Sequence, residues 1–384
     1  MSCINNSREK LKTSKQQNIG HLEKEKSVKR VVFVFPDVPH VMSGGLKMVF
    51  EYANRLTARK YEVQIAFDCR EGIYNKRLYI PLFLKKYILY PLLIRWYPRW
   101  FVLNPSVKKL LLRNGICDEE MPNADAVIAT AVKTAEPVAR LTASKGKKFY
   151  FIQGFENWSE DWSEKKVKKT YHLGLTNIVI AKWLKKILQA DGASCVVIPN
   201  GIDFNIFNID APISKRKQHV VSMLYHKQPH KGAKYGVSAL FRLKEKYPDL
   251  KAYLFGVPSR PVDLPKWVIY TQNATPLQLR KIYNNSLVYL CPSLAEGFGL
   301  TGAEAMACGA AYVASDYGGV HEYAEDGRNV LLSAPRDVDG LVNHVSYLFD
   351  HPEERIQLAE TGYQDIHQLD WEKSLDKFEE ILQS

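Results

Sequence analysis

Short apolar runs alternate with amphipathic stretches along most of the chain. Residues 29–37 read KRVVFVFPD, which predicts a short buried strand followed by a proline. The apolar residues that follow at helical spacing are Leu46, Val49, Phe50, Ala53 and Leu56. Residues 61–67, YEVQIAF, are then predicted to return as a strand. A strand, a glycine turn, a helix and a second strand form a βαβ unit, which predicts a parallel, doubly wound sheet.

The same alternation continues to the end of the chain. Further strands are predicted in the first half at 124–131, 149–153, 178–181 and 196–198. The second half predicts strands at 219–226, 251–257, 267–271, 287–290, 310–315 and 330–332, with helices at 236–247, 276–283, 338–349 and 371–382. This pattern predicts an α/β protein with two doubly wound, Rossmann-like domains that face each other across a cleft.

The length and composition divide the chain into five parts. A chain of 384 residues is longer than one hydrophobic core usually organises. Residues 1–29 are polar and rich in lysine, which predicts a disordered tail. The predicted parts that follow are a first domain at 30–200, a polar linker at 201–218, a second domain at 219–365 and a C-terminal helix at 366–384.

The cysteines and the apolar runs limit the cellular location. The six cysteines are scattered, without a C-x-x-C pair or a cluster with histidine at metal-binding spacing. This distribution favours a reducing compartment and argues against a zinc site. The N-terminal residues contain no apolar segment typical of a secretory signal, and no uncharged apolar run is long enough to span a bilayer. We therefore expect a cytoplasmic protein.

The net charge of +12 is unevenly distributed. Residues 72–117 contain nine Lys and Arg and no acidic residue, and aromatic and aliphatic residues are interleaved with them. Pro81, Pro91 and Pro98 argue against one continuous helix. The segment is typical of an interfacial surface that contacts anionic lipid, at the inner face of the cell membrane. The candidate membrane residues are Lys85, Lys86, Arg95, Trp96, Arg99 and Trp100.

Two other interpretations of this basic segment are open. Its apolar residues could belong to the core, with a basic rim that binds nothing. Basic residues interleaved with aromatic ones also occur in single-stranded nucleic-acid sites. No nucleic-acid recognition module accompanies the segment, so we expect no nucleic-acid partner.

Residues 291–309, CPSLAEGFGLTGAEAMACG, are the strongest candidate for a ligand site. A strand that leads through a glycine turn into a helix N-terminus can hold an anion, because backbone amides and the positive helix end face it. Two carboxylates, Glu296 and Glu304, flank the turn. Thr301 and Glu304 also fit a capping box, so Glu304 could instead serve only to start the helix.

Other strand ends are predicted to converge on the same edge. His226, Lys227 and Lys231 follow the first strand of the second domain, and residues 316–322 follow a later one. We expect Lys231, with His226 or Lys227, to face phosphates held by the amides of residues 298–301.

The first domain contributes candidates of its own. The turn at Gly44-Gly45 lacks the G-x-G-x-x-G dinucleotide fingerprint, but it could approach a phosphate or a sugar. Gln153, Gly154 and Glu156 follow a predicted strand and are candidates for the acceptor side. A plain surface loop is the alternative for these three residues.

Three motifs resemble one known family. They are IPNGID at 198–203, HKG at 230–232 and EGFGLTGAEAMACGAAYVASDYGGVHEYAEDGRNVLL at 296–332, supported by SGG at 43–45. Together they resemble the retaining glycosyltransferases of family 4, which have the GT-B fold. The chain is also somewhat similar to bacterial rhamnosyltransferases of surface-polysaccharide pathways.

The resemblance implies transfer of a sugar from a nucleotide-sugar donor to a glycan or polyprenyl-linked acceptor. It implies that Glu296 lies beside the donor sugar, that Glu304 binds the ribose hydroxyls and that Lys231 contacts the diphosphate. It also implies that the C-terminal helix packs back on the first domain. Glu296 and Lys231 are then the catalytic candidates. The donor-binding candidates are Gly45, His226, Lys227, Lys231, Gly297, Phe298, Gly299, Leu300, Thr301 and Glu304.

The chain departs from the family pattern at two positions. His226, followed by Lys227, stands where the family usually has an arginine, and Gln153 stands where it often has a histidine. The resemblance implies no metal or other cofactor, and Asp337-Val338-Asp339, the D-x-D triplet, is better explained as a helix N-cap. The alternatives are a nucleotide-sugar epimerase or hydrolase of the same fold, or a non-catalytic, membrane-docked sugar-binding subunit.

Overall fold

A computed structural model of the chain describes residues 29–38, 42–70, 81–157, 161–216 and 219–384. The predicted tail at 1–29 lies, except for Lys29, outside the described residues. Of the predicted membrane residues, Lys85 has a described backbone but no described side chain.

The first domain contains a sheet of seven parallel strands in the order β3-β2-β1-β4-β5-β6-β7. Its strands are β1 (Arg30–Phe35), β2 (Glu62–Asp68), β3 (Lys108–Leu112), β4 (Ala126–Ala129), β5 (Lys147–Ile152), β6 (Thr176–Val179) and β7 (Val196–Val197). The helices are α1 (Gly44–Ala58), α2 (Leu82–Leu84), α3 (Tyr90–Arg95), α4 (Val132–Ala139), α5 (Glu164–Thr170) and α6 (Lys182–Ala190), and a π-helical turn (Lys85–Leu89) joins α2 to α3. The buried parts of the strands are mainly apolar because helices cover both faces of the sheet.

The second domain contains a sheet of six parallel strands in the order β10-β9-β8-β11-β12-β13. Its strands are β8 (Val220–Leu224), β9 (Lys251–Gly256), β10 (Val268–Gln272), β11 (Val288–Cys291), β12 (Ala311–Ser315) and β13 (Leu331–Ser333). The helices are α7 (Ala233–Lys246), α8 (Pro276–Asn285), α9 (Leu300–Ala307), α10 (Val338–Asp350), α11 (Pro352–Ile366) and α12 (Trp371–Gln383). The predicted fold class, with two doubly wound parallel sheets, is confirmed.

One strand of the first sheet was not predicted from the sequence. The edge strand β3 lies inside the basic segment, where its residues KKLLL give no alternation that predicts a strand. Over its described part, residues 81–117, the segment is helical only from residue 82 to 95, with Pro81 and Pro98 outside the helix, so the expectation that it is not one continuous helix is confirmed. Pro91 is the second residue of α3 and lies directly after the π-helical turn, where the regular α-helical hydrogen-bond pattern is interrupted.

The C-terminal helix α12 packs on the first domain. The ring of Phe378 stacks on Tyr52, with centroids 4.4 Å apart, and on Phe33 of β1. Arg59, at the end of α1, forms ion pairs with Glu372, Asp376 and Glu379 of the same helix. The apolar face predicted for this helix, with Trp371, Leu375, Phe378 and Leu382, is buried.

The chain passes between the domains twice at one place. The amide of Ile202 donates to the carbonyl of Leu369 over 2.9 Å, and Ile202 forms a parallel bridge with Asp370. Gly201 lies so close to Trp371 that a Cβ at this position would come within 2.5 Å of the indole. The two passages are therefore packed against each other.

The predicted polar linker at 201–218 is well ordered over its described part, residues 201–216. The Arg216 guanidinium is buried and donates to the carbonyls of Cys308 at 2.7 Å and Gly309 at 2.9 Å, directly after α9. It also donates to the side chain of Asn284 at 3.1 Å. These bonds satisfy carbonyls at the ends of α8 and α9 and attach the segment to the second domain.

Candidate active site

Three loops of the second domain meet at the carboxyl edge of its sheet. They follow β8, β11 and β12, and β8 lies beside β11 where the strand order reverses. Ligands of open α/β sheets bind in the crevice at this topological switch point. The loops carry Lys231, Glu296 and residues 316–322, which the sequence placed on one edge.

Lys231 and Glu296 form an ion pair at this switch point. The Lys231 Nζ donates to Glu296 Oε2 over 2.7 Å, and the Ser293 hydroxyl donates to Glu296 Oε1 over 2.8 Å. Lys231 ends a 3₁₀ turn, and Gly232 follows with a φ of 61°. A Cβ at Gly232 would lie 1.8 Å from the Pro292 carbonyl, so only glycine allows the two loops to pack this closely. The pair is therefore held by the backbone on both sides.

Glu304 is buried in α9 and bonded across the domain boundary. Its Oε1 accepts a hydrogen bond of 2.6 Å from Lys47 Nζ in α1, and the Tyr283 hydroxyl lies 3.5 Å from Oε2. Helix α9 begins after Gly299, which provides no side-chain cap. The capping-box alternative for Thr301 and Glu304 is therefore wrong. Glu304 faces a small cavity between the domains, which Glu51 and Asp203 also border.

The glycine turn is enclosed by the first domain. The indole of Trp183, in the first turn of α6, donates to the Gly297 carbonyl over 2.8 Å. A Cβ on Gly297 would lie 2.1 Å from the Gln153 carbonyl. Gly299 has a φ of 87° and precedes α9, whose first turn places the amides of Leu300 and Thr301 at the positive end of the helix.

The loop after β12 also crosses to the first domain. The Glu322 carboxylate accepts a hydrogen bond from the backbone amide of Lys182 at the start of α6. Ala181 at the N-cap has no side-chain oxygen, so a residue of the other domain caps this helix. Burial raises the pKa of Glu322 above its ordinary value. Glu322 and Trp183 thus join α6 to two loops of the site.

The acceptor-side candidates differ in their surroundings. The Gln153 amide donates to the Gly45 carbonyl over 3.0 Å, which joins the loop after β5 to the start of α1 beside the glycine turn. Gly154 is buried next to it. Glu156 accepts a hydrogen bond of 2.9 Å from the amide of Val132 and so caps α4. Burial raises the pKa of Glu156 to about 7.

The histidines and Lys227 lie around the loop after β8. His226 is partly buried, and its Nδ1 accepts from the Gln228 amide over 3.0 Å. Burial and the nearby Lys231 lower the pKa values of His226 and His230. Lys227 is exposed, and no contact of its side chain with Glu296 or the glycine turn is present in the described structure. His226, rather than Lys227, is therefore the neighbour of the Lys231–Glu296 pair.

Sequence analysis missed Lys47 and Trp183. Each lies in the first turn of an amphipathic helix, and neither belongs to a motif that was recognised. The available signal was their position in the first turn after a strand, because such residues lie at the carboxyl edge of a sheet.

A second surface of interest lies on the first domain. Seven large apolar side chains between residues 83 and 102 are exposed, and Trp96 and Phe83 have exposed fractions of 70% and 66%. We call this set the apolar surface; it comprises Phe83, Leu84, Tyr87, Ile88, Leu92, Trp96 and Val102. Arg95 and Arg99 are exposed beside it, and the Arg113 guanidinium lies over the Tyr87 ring.

Trp100 differs from the other candidates for a membrane surface. Its ring is partly buried and packs on Phe50 of α1, with centroids 5.7 Å apart. Trp100 therefore belongs to the margin of the core. For this residue, the alternative that the apolar residues of the basic segment are core residues applies. Within the described ranges, none of the helices combines the length and hydropathy needed to span a bilayer.

Residues 206–365 match the protein family described as "Glycosyl transferases group 1". A phosphatidyl-myo-inositol mannosyltransferase of Mycolicibacterium smegmatis is 24% identical over 262 residues, which are 65% of this chain and 66% of that protein. The chain thus spans slightly less than two thirds of the length of this curated relative. The resemblance to the family is confirmed.

Solved structures show the same fold over nearly the whole chain. Sucrose-phosphate synthase from Thermosynechococcus elongatus superposes with a TM-score of 0.72 and 15% identity, covering 92% of this chain and 98% of that one. Anabaena Alr3699/HepE in complex with UDP and glucose superposes with a TM-score of 0.68 and 16% identity, covering 93% of this chain and 100% of that one. The predicted GT-B fold is confirmed.

Proposed function

The second domain of this chain belongs to the group 1 glycosyltransferases, and from this premise we propose that the chain is a retaining glycosyltransferase. It moves a sugar from a nucleotide-sugar donor to a glycan or polyprenyl-linked acceptor, in the synthesis of surface polysaccharide or another glycoconjugate. The observation that carries the proposal is the Lys231–Glu296 ion pair, held beside the N-terminus of α9 at the switch point of the second sheet. The narrower resemblance to rhamnosyltransferases stays a prediction.

The chemistry follows from where charge develops. Breaking the anomeric C–O bond leaves the electron pair and the negative charge on the nucleoside diphosphate. The Lys231 ammonium and the first amides of α9 stabilise that charge, because they are fixed before the reaction. The acceptor oxygen bonds to the anomeric carbon on the face that the diphosphate leaves, and its proton passes to the departing diphosphate oxygen. Glu296 lies beside the sugar. Glu304 accepts hydrogen bonds from the ribose hydroxyls.

A thermal-shift screen with UDP-, GDP-, ADP- and dTDP-sugars tests donor binding. One of these donors should raise the melting temperature, because a ligand bound only by the folded chain stabilises it. UDP-glucose is a natural first probe, since a neighbour of this fold was solved with UDP and glucose. The Val262→Ser variant, which changes an exposed residue, is the control and should respond like the wild type. A chain stabilised by no donor would contradict the proposal.

Two alternatives predict different products. An epimerase or hydrolase converts a radiolabelled donor in the absence of any acceptor, whereas a transferase needs the acceptor for efficient turnover. A non-catalytic sugar-binding subunit binds the donor but releases no nucleotide when lipid-linked acceptor is added. Release that depends on acceptor would exclude both alternatives.

We also propose that the transfer is independent of metal ions. Lys231 and the α9 amides already supply positive charge to the leaving group. The Asp337 carboxylate of the D-x-D triplet accepts from the Gly340 amide and caps α10. Activity should survive a chelator; a strict requirement for Mg²⁺ or Mn²⁺ would contradict this part of the proposal.

We further propose that the apolar surface docks on the anionic cytoplasmic face of the cell membrane. Its exposed aromatic and aliphatic side chains can enter the head-group region, while Arg95 and Arg99 meet lipid phosphates. Docking there would bring the enzyme to a polyprenyl-linked acceptor. The apolar area and the basic residues belong to the same described segment, which favours a lipid surface over a purely apolar partner.

Flotation with liposomes tests the docking surface. The wild type should float with vesicles of phosphatidylglycerol and phosphatidylcholine at low salt, and less so at high salt. The Phe83→Ser/Trp96→Ser double variant should lose flotation, whereas Val262→Ser, which alters an exposed apolar residue of the second domain, should keep it. Equal flotation of all three proteins, or none by the wild type, would contradict the membrane proposal.

A further inference from the structure

Three buried tyrosines form a hydrogen-bonded chain behind the glycine turn. The Tyr312 and Tyr317 hydroxyls are 2.6 Å apart, and the Tyr317 and Tyr323 hydroxyls are 3.0 Å apart. Tyr323 then donates to the Gly299 carbonyl over 2.7 Å. All three side chains are almost completely buried. The chain therefore ends on the backbone of the residue that precedes α9.

The direction of this chain is fixed by its last bond. A carbonyl cannot donate, so the single hydroxyl proton of Tyr323 is used on Gly299. Tyr323 must then accept from Tyr317, and Tyr317 must accept from Tyr312. Burial raises the pKa of each hydroxyl well above its ordinary value, so all three stay protonated donors in the range where proteins are folded.

The tyrosines and the glycines of the turn fit one another sterically. A Cβ on Gly299 would lie 2.1 Å from the Tyr317 hydroxyl, and one on Gly302 would lie 2.4 Å from the Tyr312 hydroxyl. The hydroxyls thus occupy the space that side chains at these positions would need. The ring of Phe298 packs on Tyr323, with centroids 5.4 Å apart, on the other side of the turn.

The Gly299 carbonyl also accepts from the backbone amides of Gly302 at 3.0 Å and Ala303 at 3.3 Å, so the bond from Tyr323 reinforces the orientation of the next peptide. In a planar trans peptide the N–H points opposite to the C=O, so an inward Gly299 carbonyl turns the Leu300 amide away from the tyrosines. No protein acceptor for the Leu300 amide is present among the described residues. That amide belongs to the helix end that faces the cleft.

We propose that Tyr323, supported in order by Tyr317 and Tyr312, is a positioning residue that aims the first amides of α9 at the donor diphosphate. The inference rests on the proposed function, because it needs a diphosphate at this helix end. It adds three residues that touch no substrate and act only through the Gly299–Leu300 peptide.

Single-atom deletions test the proposal. The variants are Tyr323→Phe, Tyr317→Phe and Tyr312→Phe, with Tyr52→Phe as the control, because the Tyr52 hydroxyl is buried in the first domain without a hydrogen-bond partner in the described structure. Calorimetry measures the dissociation constants of UDP, GDP, ADP or dTDP, whichever binds the wild type best, and of the matching monophosphate.

Tyr323→Phe should weaken diphosphate binding about five-fold, the effect of one lost neutral hydrogen bond, and weaken monophosphate binding less than about two-fold. The effect should decrease from Tyr323→Phe to Tyr317→Phe to Tyr312→Phe, and Tyr52→Phe should change neither constant. If Tyr323→Phe does not fold, the comparison rests on Tyr317→Phe and Tyr312→Phe, both of which keep the bond to Gly299. Tyr317→Phe should then weaken diphosphate binding more than Tyr312→Phe.

Three results would overturn the inference. Equal weakening of both nucleotides would mean that the tyrosines only stabilise the domain. Unchanged diphosphate binding in all variants would mean that they do not position the turn. Both results leave the proposed function intact, because the wild type still binds a nucleotide. A wild type that binds none of the four diphosphates contradicts the proposed function itself, and this inference falls with it.

Discussion

Lys47 of the first domain donates a 2.6 Å hydrogen bond to the buried carboxylate of Glu304 in the second domain. The side chain of Glu304 is only 5% exposed, and that of Lys47 is 23% exposed. The residue expected to bind the donor ribose is therefore already engaged by a cation of the opposite domain. Under the proposed function, donor binding has to replace or rearrange this ion pair.

The Lys47–Glu304 pair can be measured by a double-mutant cycle. Lys47→Met should lower the free energy of unfolding by about 2 kcal/mol, because it leaves a largely buried carboxylate without its cation. Adding Glu304→Gln should recover part of that loss, since the amide carries no charge. Urea unfolding of the four proteins gives the coupling free energy. Additive losses would mean that the two side chains do not interact.

Glu304→Ala should raise the donor Michaelis constant strongly, by about ten-fold or more, because two hydroxyl contacts to a charged group are lost. The turnover number at saturating donor should change much less. Initial rates against donor concentration separate the two effects. A variant with a normal Michaelis constant would show that Glu304 serves only the ion pair with Lys47.

Glu296→Ala should act mainly on turnover. The carboxylate holds Lys231 and Ser293 in place, and loss of a preorganised charge beside the reacting sugar costs about a hundred-fold in rate. Thermal unfolding should change little, which provides the control for folding. Unchanged turnover would remove Glu296 from the catalytic set.

Trp183→Phe should lower turnover about five-fold by removing the indole N–H that holds the Gly297 carbonyl. Because this bond joins the two domains, it exists only while they are in contact, and binding of the diphosphate alone should change little. Trp267→Phe makes the same chemical change at a partly buried position of the second domain and should have no effect. Steady-state kinetics of both variants, with calorimetry of diphosphate binding, make the comparison; equal turnover would contradict the prediction.

Glu156 should make stability depend on pH. Burial raises its pKa from 4.5 to about 7, so the folded chain keeps a proton that the unfolded chain has released between these values. Its contribution to stability is therefore present at low pH and decreases as the pH rises through this window. Glu156→Gln keeps an acceptor for Val132 but cannot titrate. Urea unfolding of both proteins at pH 5 and pH 8 tests this prediction. The free energy of unfolding of the variant, relative to that of the wild type, should be higher at pH 8 than at pH 5. The same difference at both pH values would contradict the prediction.

Residues whose roles follow from local pattern were placed well by the sequence. The turn from Glu296 to Thr301 and the strand before it were recognisable because glycine spacing and strand periodicity are local properties. The helix cap at Asp337 was recognisable for the same reason. The family motifs added the fold of the second domain.

Residues whose roles depend on contacts between domains could not be found in this way. Lys47 and Glu304 are 257 positions apart, and no local rule relates them. Glu156 looked like an open acceptor-side residue, but its carboxylate caps a helix that begins 24 positions earlier. The tyrosine chain resembled ordinary strand and loop apolar residues, because hydroxyl partners are set by packing alone.

The two passages of the chain between the domains, bonded to each other at Ile202 and Leu369, restrict how the domains can move. Two adjacent tethers act as a single hinge line and leave rotation about that line as the softest degree of freedom. Translation or twisting of one domain relative to the other would strain the bonds between the two passages. The buried Arg216 fixes the segment after the first passage to the second domain, so that segment cannot lengthen the connection. Any rotation of the domains about that line separates Lys47 from Glu304 and Trp183 from Gly297, because both contacts join one domain to the other.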